Sequence, residues 1–341
     1  MTTFPLAQAI SPLPPDRPVR FGVLATGHIA RKVTRDMLLV PDDVAVTAVG
    51  SRTQASADDF ASELSIPHAY GSYEELAASD EVDVIYVTTP HSHHAEAAKL
   101  CMDAGKHVLV EKPLTPSAAE TLDLVQYAAD KGVFLMEAVW TRCNPLMRRA
   151  AELVAAGTLG DVRWVQAAFA FKYSGDDSHR LVNPDLAGGA ILDLGLYLAT
   201  LTHALIGAPD ACSVIGNPFH TGVDGTSCAT FTWNATDARP PIYAQFMSSL
   251  EVSTHQQMVV SGTEGRLEID KLSNPRHMRL VRGEEVEEMV TTAPGYGYTF
   301  QTQEVARCLR AGLAESPLVP WRATIEVAQM LDAWRAGIPA A

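Results

Sequence analysis

Between Val19 and about Glu137, short runs of branched apolar residues alternate with longer amphipathic stretches. That order builds βαβ units around a parallel sheet. The apolar runs predict strands over 19–24, 44–49, 82–88, 107–110 and 133–136. The stretches between them predict helices over 29–39, stopped before Pro41, over 54–64, over 93–104, stopped by Gly105, and over 116–131, stopped by Gly132.

Beyond Asn144-Pro145 the pattern changes. A helix over 146–156 ends at Gly157, and period-two alternation over 162–171 and 229–233 fits antiparallel strands with one buried face. Runs over 257–261 and 266–269 flank Gly262-Thr-Glu-Gly265, a hairpin signal. At 341 residues the chain is too long for one core. It therefore divides into a proline-rich irregular arm over 1–18, a doubly wound α/β domain over 19–142, and an α+β domain over 143–341 built on a mostly antiparallel open sheet. The amphipathic last helix, 321–335, is expected to pack back on the first domain.

A formal net charge of −14 with no basic cluster argues against nucleic acid or an anionic membrane as a partner. No apolar stretch is expected to reach the ~20 residues of a membrane span, and the N-terminus carries no export pattern. The expected location is the cytoplasm. Cys101, Cys143, Cys212, Cys228 and Cys308 are odd in number and lack a CxxC pair, which disfavours a disulfide framework and a structural zinc site.

The first strand runs into Ala25-Thr26-Gly27-His28-Ile29-Ala30, a G-x-G-x-x-G fingerprint reduced to A-x-G-x-x-A. The retained Gly27 lets a pyrophosphate approach the backbone at the start of the helix that His28 and Ile29 open. After the second strand, where NAD enzymes usually carry an acid, this chain has Gly50-Ser51-Arg52-Thr53. A guanidinium grips a 2′-phosphate that a carboxylate would repel, so NADP is expected ahead of NAD. Another strand ends in Thr89-Pro90-His91-Ser-His93-His94. The histidine spacing does not suit one helix face, so a loop lining the nicotinamide pocket is expected and no metal site.

The run 107–110 ends in Glu111-Lys112-Pro113, an opposite-charge pair at the edge where open α/β sheets place ligands. Together with the fingerprint, Thr89-Pro90 with His94, and Gly188-Gly189-Ala190-Ile-Leu-Asp193-Leu-Gly195-Leu-Tyr197, it resembles the glucose-fructose oxidoreductase/inositol dehydrogenase (Gfo/Idh/MocA) family. Met136-Glu137-Ala138-Val139-Trp140-Thr141-Arg142 and Tyr197 are similar to its branch of dimeric dihydrodiol dehydrogenases and NADP-dependent D-xylose dehydrogenases. The resemblance implies a Rossmann domain, a second domain whose open sheet forms a homodimer or larger homo-oligomer, and a site between the domains.

What it further implies is hydride transfer between NADP and a secondary alcohol or hemiacetal of a sugar, cyclitol or trans-dihydrodiol. Tyr197 would move the hydroxyl proton while the Lys112 ammonium lowers its pKa. Asp193, four residues earlier on a helix, would share its face and orient the lysine or bind a hydroxyl. Glu111 would brace the loop within the cofactor site. Trp140, Arg142, Arg180 and Tyr298 are the candidate substrate contacts, with Trp140 as domain-junction core and the arginines as interdomain bridges the plainer alternative. A cofactor-sensing regulator without catalysis and a glycosidase that retains NAD are the competing functions; Lys112 argues against the first and Arg52 against the second.

Overall fold

The computed structural model describes residues 4–237 and 239–339. Its contacts form two units: Met1–Trp140 with Ala293–Thr324, and Thr141–Thr292 with Ile325–Ala341. In the first, six strands form one parallel sheet in the order β3-β2-β1-β4-β5-β6. β1 (Val19–Leu24) pairs in parallel with β2 (Val44–Gly50) on one side and β4 (Val84–Val87) on the other. β5 (His107–Val110) and β6 (Leu135–Glu137) continue beyond β4, and β3 (His68–Tyr70) lies outside β2. Every residue of β4 is buried, as expected of a strand covered on both faces.

The connecting helices are α1 (His28–Met37), α2 (Gln54–Leu64), α3 (Tyr73–Ala78), α4 (His94–Asp103) and α5 (Ala118–Lys131). Thr53, Ser72 and Ser117 cap α2, α3 and α5, each hydroxyl accepting a backbone N–H from the first turn. Gly132, at φ +64°, closes α5 in the left-handed conformation that glycine adopts without a Cβ clash. β3 and α3, three and six residues long, are the elements of this sheet that hydrophobic periodicity does not predict.

The arm over 4–18 has no regular element but is anchored. Ile10 and Leu13 donate backbone N–H groups to Gly312 O (2.9 Å) and Leu309 O (3.0 Å). Arg17 and Arg20 both pair with Asp83, at 2.5 and 2.9 Å, whose side chain is 6% exposed. Burial raises the Asp83 pKa, but hydrogen bonds from the two arginines outweigh it and hold the carboxyl down at about 2.

Residues 293–324, expected in the second domain, instead cluster with the first unit. The cause is tertiary: in the helix Thr299–Arg310 (α8), Gln303 and Arg310 bind the Asp43 carboxylate at 2.8 and 3.1 Å, and Leu135 N–H donates to Ala314 O at 3.1 Å. The last helix also departs from expectation. Only Trp321–Thr324 cluster with the first unit. Trp334, fully buried, packs its ring against Phe231 and Phe246 at 6.1 and 5.8 Å and donates to Ser227 Oγ at 3.0 Å, all within the second unit.

The second unit holds the helices α6 (Pro145–Ala155) and α7 (Leu196–Ile206) and an eight-stranded sheet in the order β14-β13-β12-β11-β7-β10-β9-β8. Its strands are β7 (Val162–Ala170), β8 (Ala211–Pro218), β9 (Asp224–Trp233), β10 (Ile242–Ser249), β11 (Gln257–Gly262), β12 (Arg266–Asp270), β13 (His277–Arg282) and β14 (Glu285–Val290). All pairs are antiparallel except the central β7–β10 pair. The hairpin at 262–265 forms as expected. Contrary to the sequence reading, Pro184–Ile206 is long and apolar enough to pass for a membrane span, but 83% of its most apolar window is buried inside the protein. Along β10, buried positions alternate with exposed ones, and Tyr243 lies opposite Trp164 of β7 with both side chains partly in solvent.

Asp83→Asn removes an acceptor charge from two arginines. It is expected to destabilise the first unit by about 1–2 kcal/mol at pH 7, in denaturant titrations. Because the folded pKa lies below the ordinary value of 3.8, this contribution is present above pH 4 and disappears as pH falls through 2, where wild type and variant should converge.

Candidate active site

In a parallel sheet all strand ends of one sense share an edge, so the loops after β1, β2, β4 and β5 lie side by side. The connection after β1 runs to β2 on one side, and the one after β3 crosses to β4 on the other, so this edge is the switch point at which such sheets bind ligands. After β1, Ala25 takes φ +78° and donates its N–H to Gly50 O at 2.9 Å. Gly27 then caps α1 with φ −71° and ψ −177°, a conformation open to any residue. A Cβ at Gly27 would meet nothing within 4 Å. Neither backbone strain nor crowding within the protein calls for glycine here, whereas close approach of a ligand does. Among the described residues no side chain caps this helix start, which leaves its N–H groups open to an anion.

After β2, Ser51 is buried with its hydroxyl 3.5 Å from Thr26 Oγ1, and Arg52 is exposed. Thr53 uses its hydroxyl to cap α2 and to donate to Ser56 Oγ at 2.9 Å. After β4, Thr88 N–H continues the ladder to Leu24 O at 3.0 Å. The neighbouring Thr89 Oγ1 is buried without a hydrogen-bond partner among the described residues, a polar atom that a bound group would satisfy. The open cradle at Gly27, the uncapped helix start and this hydroxyl, on one edge, fit a dinucleotide.

The loop after β5 is rigidly built. Glu111 N–H donates to Val87 O at 3.0 Å, and its buried carboxylate accepts from Tyr86 OH and, at 3.2 Å, from Lys112 N–H. The Lys112–Pro113 peptide is cis, and Leu114 N–H reaches Glu137 Oε1 at 2.9 Å. His94, fully buried, places Nδ1 2.8 Å from Pro113 O and Nε2 2.8 Å from Thr89 O, so one ring spans the loops after β4 and β5. Burial drives its pKa down to about 4, against the pull of the two carbonyls, so the ring is neutral near pH 7 and its single N–H donates to one of the two. His91, also buried, stands edge-on to it at 5.7 Å. His28, Ile29 and Pro90 lie at the turns that begin α1 and follow β4.

Trp140 and Tyr298 meet in the first unit, their ring centroids 4.2 Å apart. In the second unit, Asp193 lies in a π-helical turn, Ile191–Gly195, that leads into α7 and Tyr197. The i→i+5 turn replaces the α-turn that the Asp193–Tyr197 spacing presumes. Asp193 and Tyr197 are both 7% exposed. Arg180 pairs with Asp193 at 3.0 Å, and Tyr197 packs against Phe169 at 5.5 Å. Arg142 sits in the 3₁₀ turn Trp140–Cys143. Lys112 and Tyr197 belong to different units.

Asp224 is the residue of this region that sequence reasoning missed. Its carboxylate accepts the Ile191 N–H at 2.6 Å and lies where a Cβ on Gly189, at φ +125°, would be, so the Gly188-Gly189 pair is built around it. No local motif links it to a helix 33 residues away. Burial raises the Asp224 pKa to about 6, despite the N–H groups and the Arg335 charge that oppose the shift.

A profile described as "Oxidoreductase family, NAD-binding Rossmann fold" matches residues 19–139, and one for the GFO/IDH/MocA C-terminal domain matches 147–268. The chain belongs to the Gfo/Idh/MocA family. Among its relatives, trans-1,2-dihydrobenzene-1,2-diol dehydrogenase of Mus musculus is 37% identical over 94% of this chain and 97% of the relative. D-xylose 1-dehydrogenase (NADP(+)) of Hypocrea jecorina is 34% identical over 92% of this chain and 90% of its own. Among solved structures, a 3-ketoreductase from Actinomadura kijaniata in complex with NADP has 26% identity and a TM-score of 0.78, covering 94% of this chain and 98% of that one. Aldose-aldose oxidoreductase from Caulobacter crescentus shares the fold at a TM-score of 0.84, with 23% identity and coverage of 94% and 97%.

Asp224→Asn is expected to change the pH dependence of the second unit. A carboxyl whose folded pKa is about 6 against an ordinary 3.8 favours the folded state in its protonated form, so its contribution is full below pH 4 and lost as pH rises through 6. In urea titrations, wild type should lose about 2–3 kcal/mol over that interval relative to the asparagine variant. Parallel pH profiles would contradict the assignment.

Proposed function

We propose that this protein is an NADP-dependent oxidoreductase acting on the CH–OH group of a sugar, cyclitol or trans-dihydrodiol. The observation that carries the proposal is the shared edge of the first sheet, where an uncrowded Gly27, Arg52 and Lys112 follow neighbouring parallel strands. It is supported by relatives along almost the whole chain that are named dihydrodiol and NADP-linked xylose dehydrogenases.

The start of α1 would hold the pyrophosphate, and Arg52 with Ser51 the 2′-phosphate. Thr89, Pro90, His91 and His94 would line the nicotinamide end. When bound, NADP supplies or accepts the hydride. Tyr197 passes a proton to or from the substrate oxygen, and Lys112 stabilises its phenolate, because an adjacent ammonium favours the ionised form. Glu111 fixes the Lys112 backbone through the bonds described above. Asp193 and Arg180 act together on a substrate hydroxyl, Arg142 is a further substrate contact, and Trp140 and Tyr298 offer an aromatic wall to the apolar face of the ring.

We further place the protein in the cytoplasm, as a homodimer or larger homo-oligomer. The exposed face of the second sheet, with Trp164, Tyr243 and Ile215 at 37%, 48% and 83% exposure, is the surface proposed to meet a second copy.

NADPH-linked turnover of a panel of aldoses, inososes and trans-dihydrodiols tests the activity. Lys112→Ala and Tyr197→Phe are each expected to lower kcat by about 100-fold or more; full activity in both would refute the mechanism. Arg52→Ala should weaken NADPH binding by about 10-fold or more and leave NADH binding almost unchanged. Equal losses for the two nucleotides would refute the 2′-phosphate assignment.

A further inference from the structure

Asp36 occupies the last turn of α1, where a carboxylate opposes the helix dipole, and is 2% exposed. A buried acid at a helix C-terminus needs strong compensation. It comes from 260 residues away: the N–H groups of Tyr296, Gly297 and Tyr298 converge on the two carboxylate oxygens at 3.0, 2.9 and 2.8 Å. Consecutive N–H groups of this kind form an anion nest, and here the anion is a side chain of the protein. The loop is shaped to it. Gly295 has φ +59°, and a Cβ there would strike the Asp36 carboxylate; Gly297 has φ +106°.

The nest fixes two aromatic residues differently. Tyr296 is 54% exposed, with Lys32 Nζ 5.2 Å from its ring centroid. Tyr298 turns to the Trp140 ring and precedes the first residue of α8. The opposite end of α1 is the Gly27 turn. One rigid helix of 10 residues, about 15 Å long, thus joins the cofactor cradle at its start to the backbone of Tyr298 at its end.

We infer that Asp36 is a positioning residue for substrate recognition: it holds the Tyr298–Trp140 wall in fixed register with the cofactor edge through α1. This rests on the assignment of Trp140 and Tyr298 to the substrate side. An asparagine keeps the shape but presents one acceptor oxygen instead of two and no charge, so the nest loosens.

The test compares Asp36→Asn, Tyr298→Ala and the double variant in the full-length enzyme with its best substrate from the panel. Asp36→Asn is expected to raise KM about 10-fold, with kcat within about threefold and the NADPH Kd within about twofold. The near-ultraviolet circular dichroism of the Trp140–Tyr298 pair should weaken in parallel. Tyr298→Ala should raise KM similarly, and adding Asp36→Asn to it should have little further effect. The inference is overturned by an unchanged KM in Asp36→Asn, by an NADPH Kd that rises as much as KM, or by additive effects in the double variant. Should Asp36→Asn not fold, Asp36→Glu takes its place: the longer arm displaces the loop while keeping the charge, and the same KM rise is expected, with an unchanged KM overturning the inference. A normal KM in Tyr298→Ala would remove the substrate wall and this inference with it, whereas a raised KM there beside a normal KM in the Asp36 variant would refute the tether alone.

Discussion

β1 is hydrogen-bonded in parallel to both β2 and β4, and the first unit depends on that double pairing. With neighbours on both sides, β1 has no free edge, and the chain that leaves it must rise over the end of the sheet. The ladder extends past the strands, from Ala25 N–H to Gly50 O, from Thr88 N–H to Leu24 O and from Glu111 N–H to Val87 O. These bonds hold the backbones of the cofactor loops at the spacing of the sheet. Placement of Gly27, Ser51, Thr89 and Lys112 is therefore a property of strand pairing, with side chains making the final adjustments.

Those adjustments come from buried polar groups that cannot use water and so bind one another. His94 sits between carbonyls of two loops, and Glu111 and Glu137 each take a backbone N–H from the segment 112–114. Asp36 gathers three N–H groups from a distant loop. In the second unit Asp224 does the same for the turn before Asp193 and Tyr197. Each is an acid or imidazole inside the protein whose partners are mostly main-chain groups, so each specifies a backbone path. The electrostatics differ between units. His94 and Asp83 favour the folded state at neutral pH relative to acid, and Asp224 does the opposite.

Much of this was readable from residues alone. The apolar runs marked the strands β1, β2, β4, β5 and β6 because a doubly covered strand needs uninterrupted apolar residues, and glycine or proline marked where helices stop. The A-x-G-x-x-A turn, Arg52 and Glu111-Lys112-Pro113 could be placed at strand ends for the same reason. What escaped was long-range. Residues 293–324 join the first unit through Asp36 and Asp43, and no local pattern announces a partner 260 residues away. No sequence pattern singled out Asp224, and the last helix, which carries Trp334, was expected on the first unit.

The central claim is that the carboxyl edge of the first sheet is shaped around a dinucleotide, and Gly27 tests it most directly because the protein gives no internal reason for glycine there. Calorimetric titration of NADPH into Gly27→Ala, beside thermal unfolding of the unliganded protein, separates ligand from fold. The expected result is stability within about 1 kcal/mol of wild type, the scale of a helix-cap change, with NADPH affinity reduced about 10-fold or more. Unaltered NADPH affinity in a normally folded variant would contradict the account.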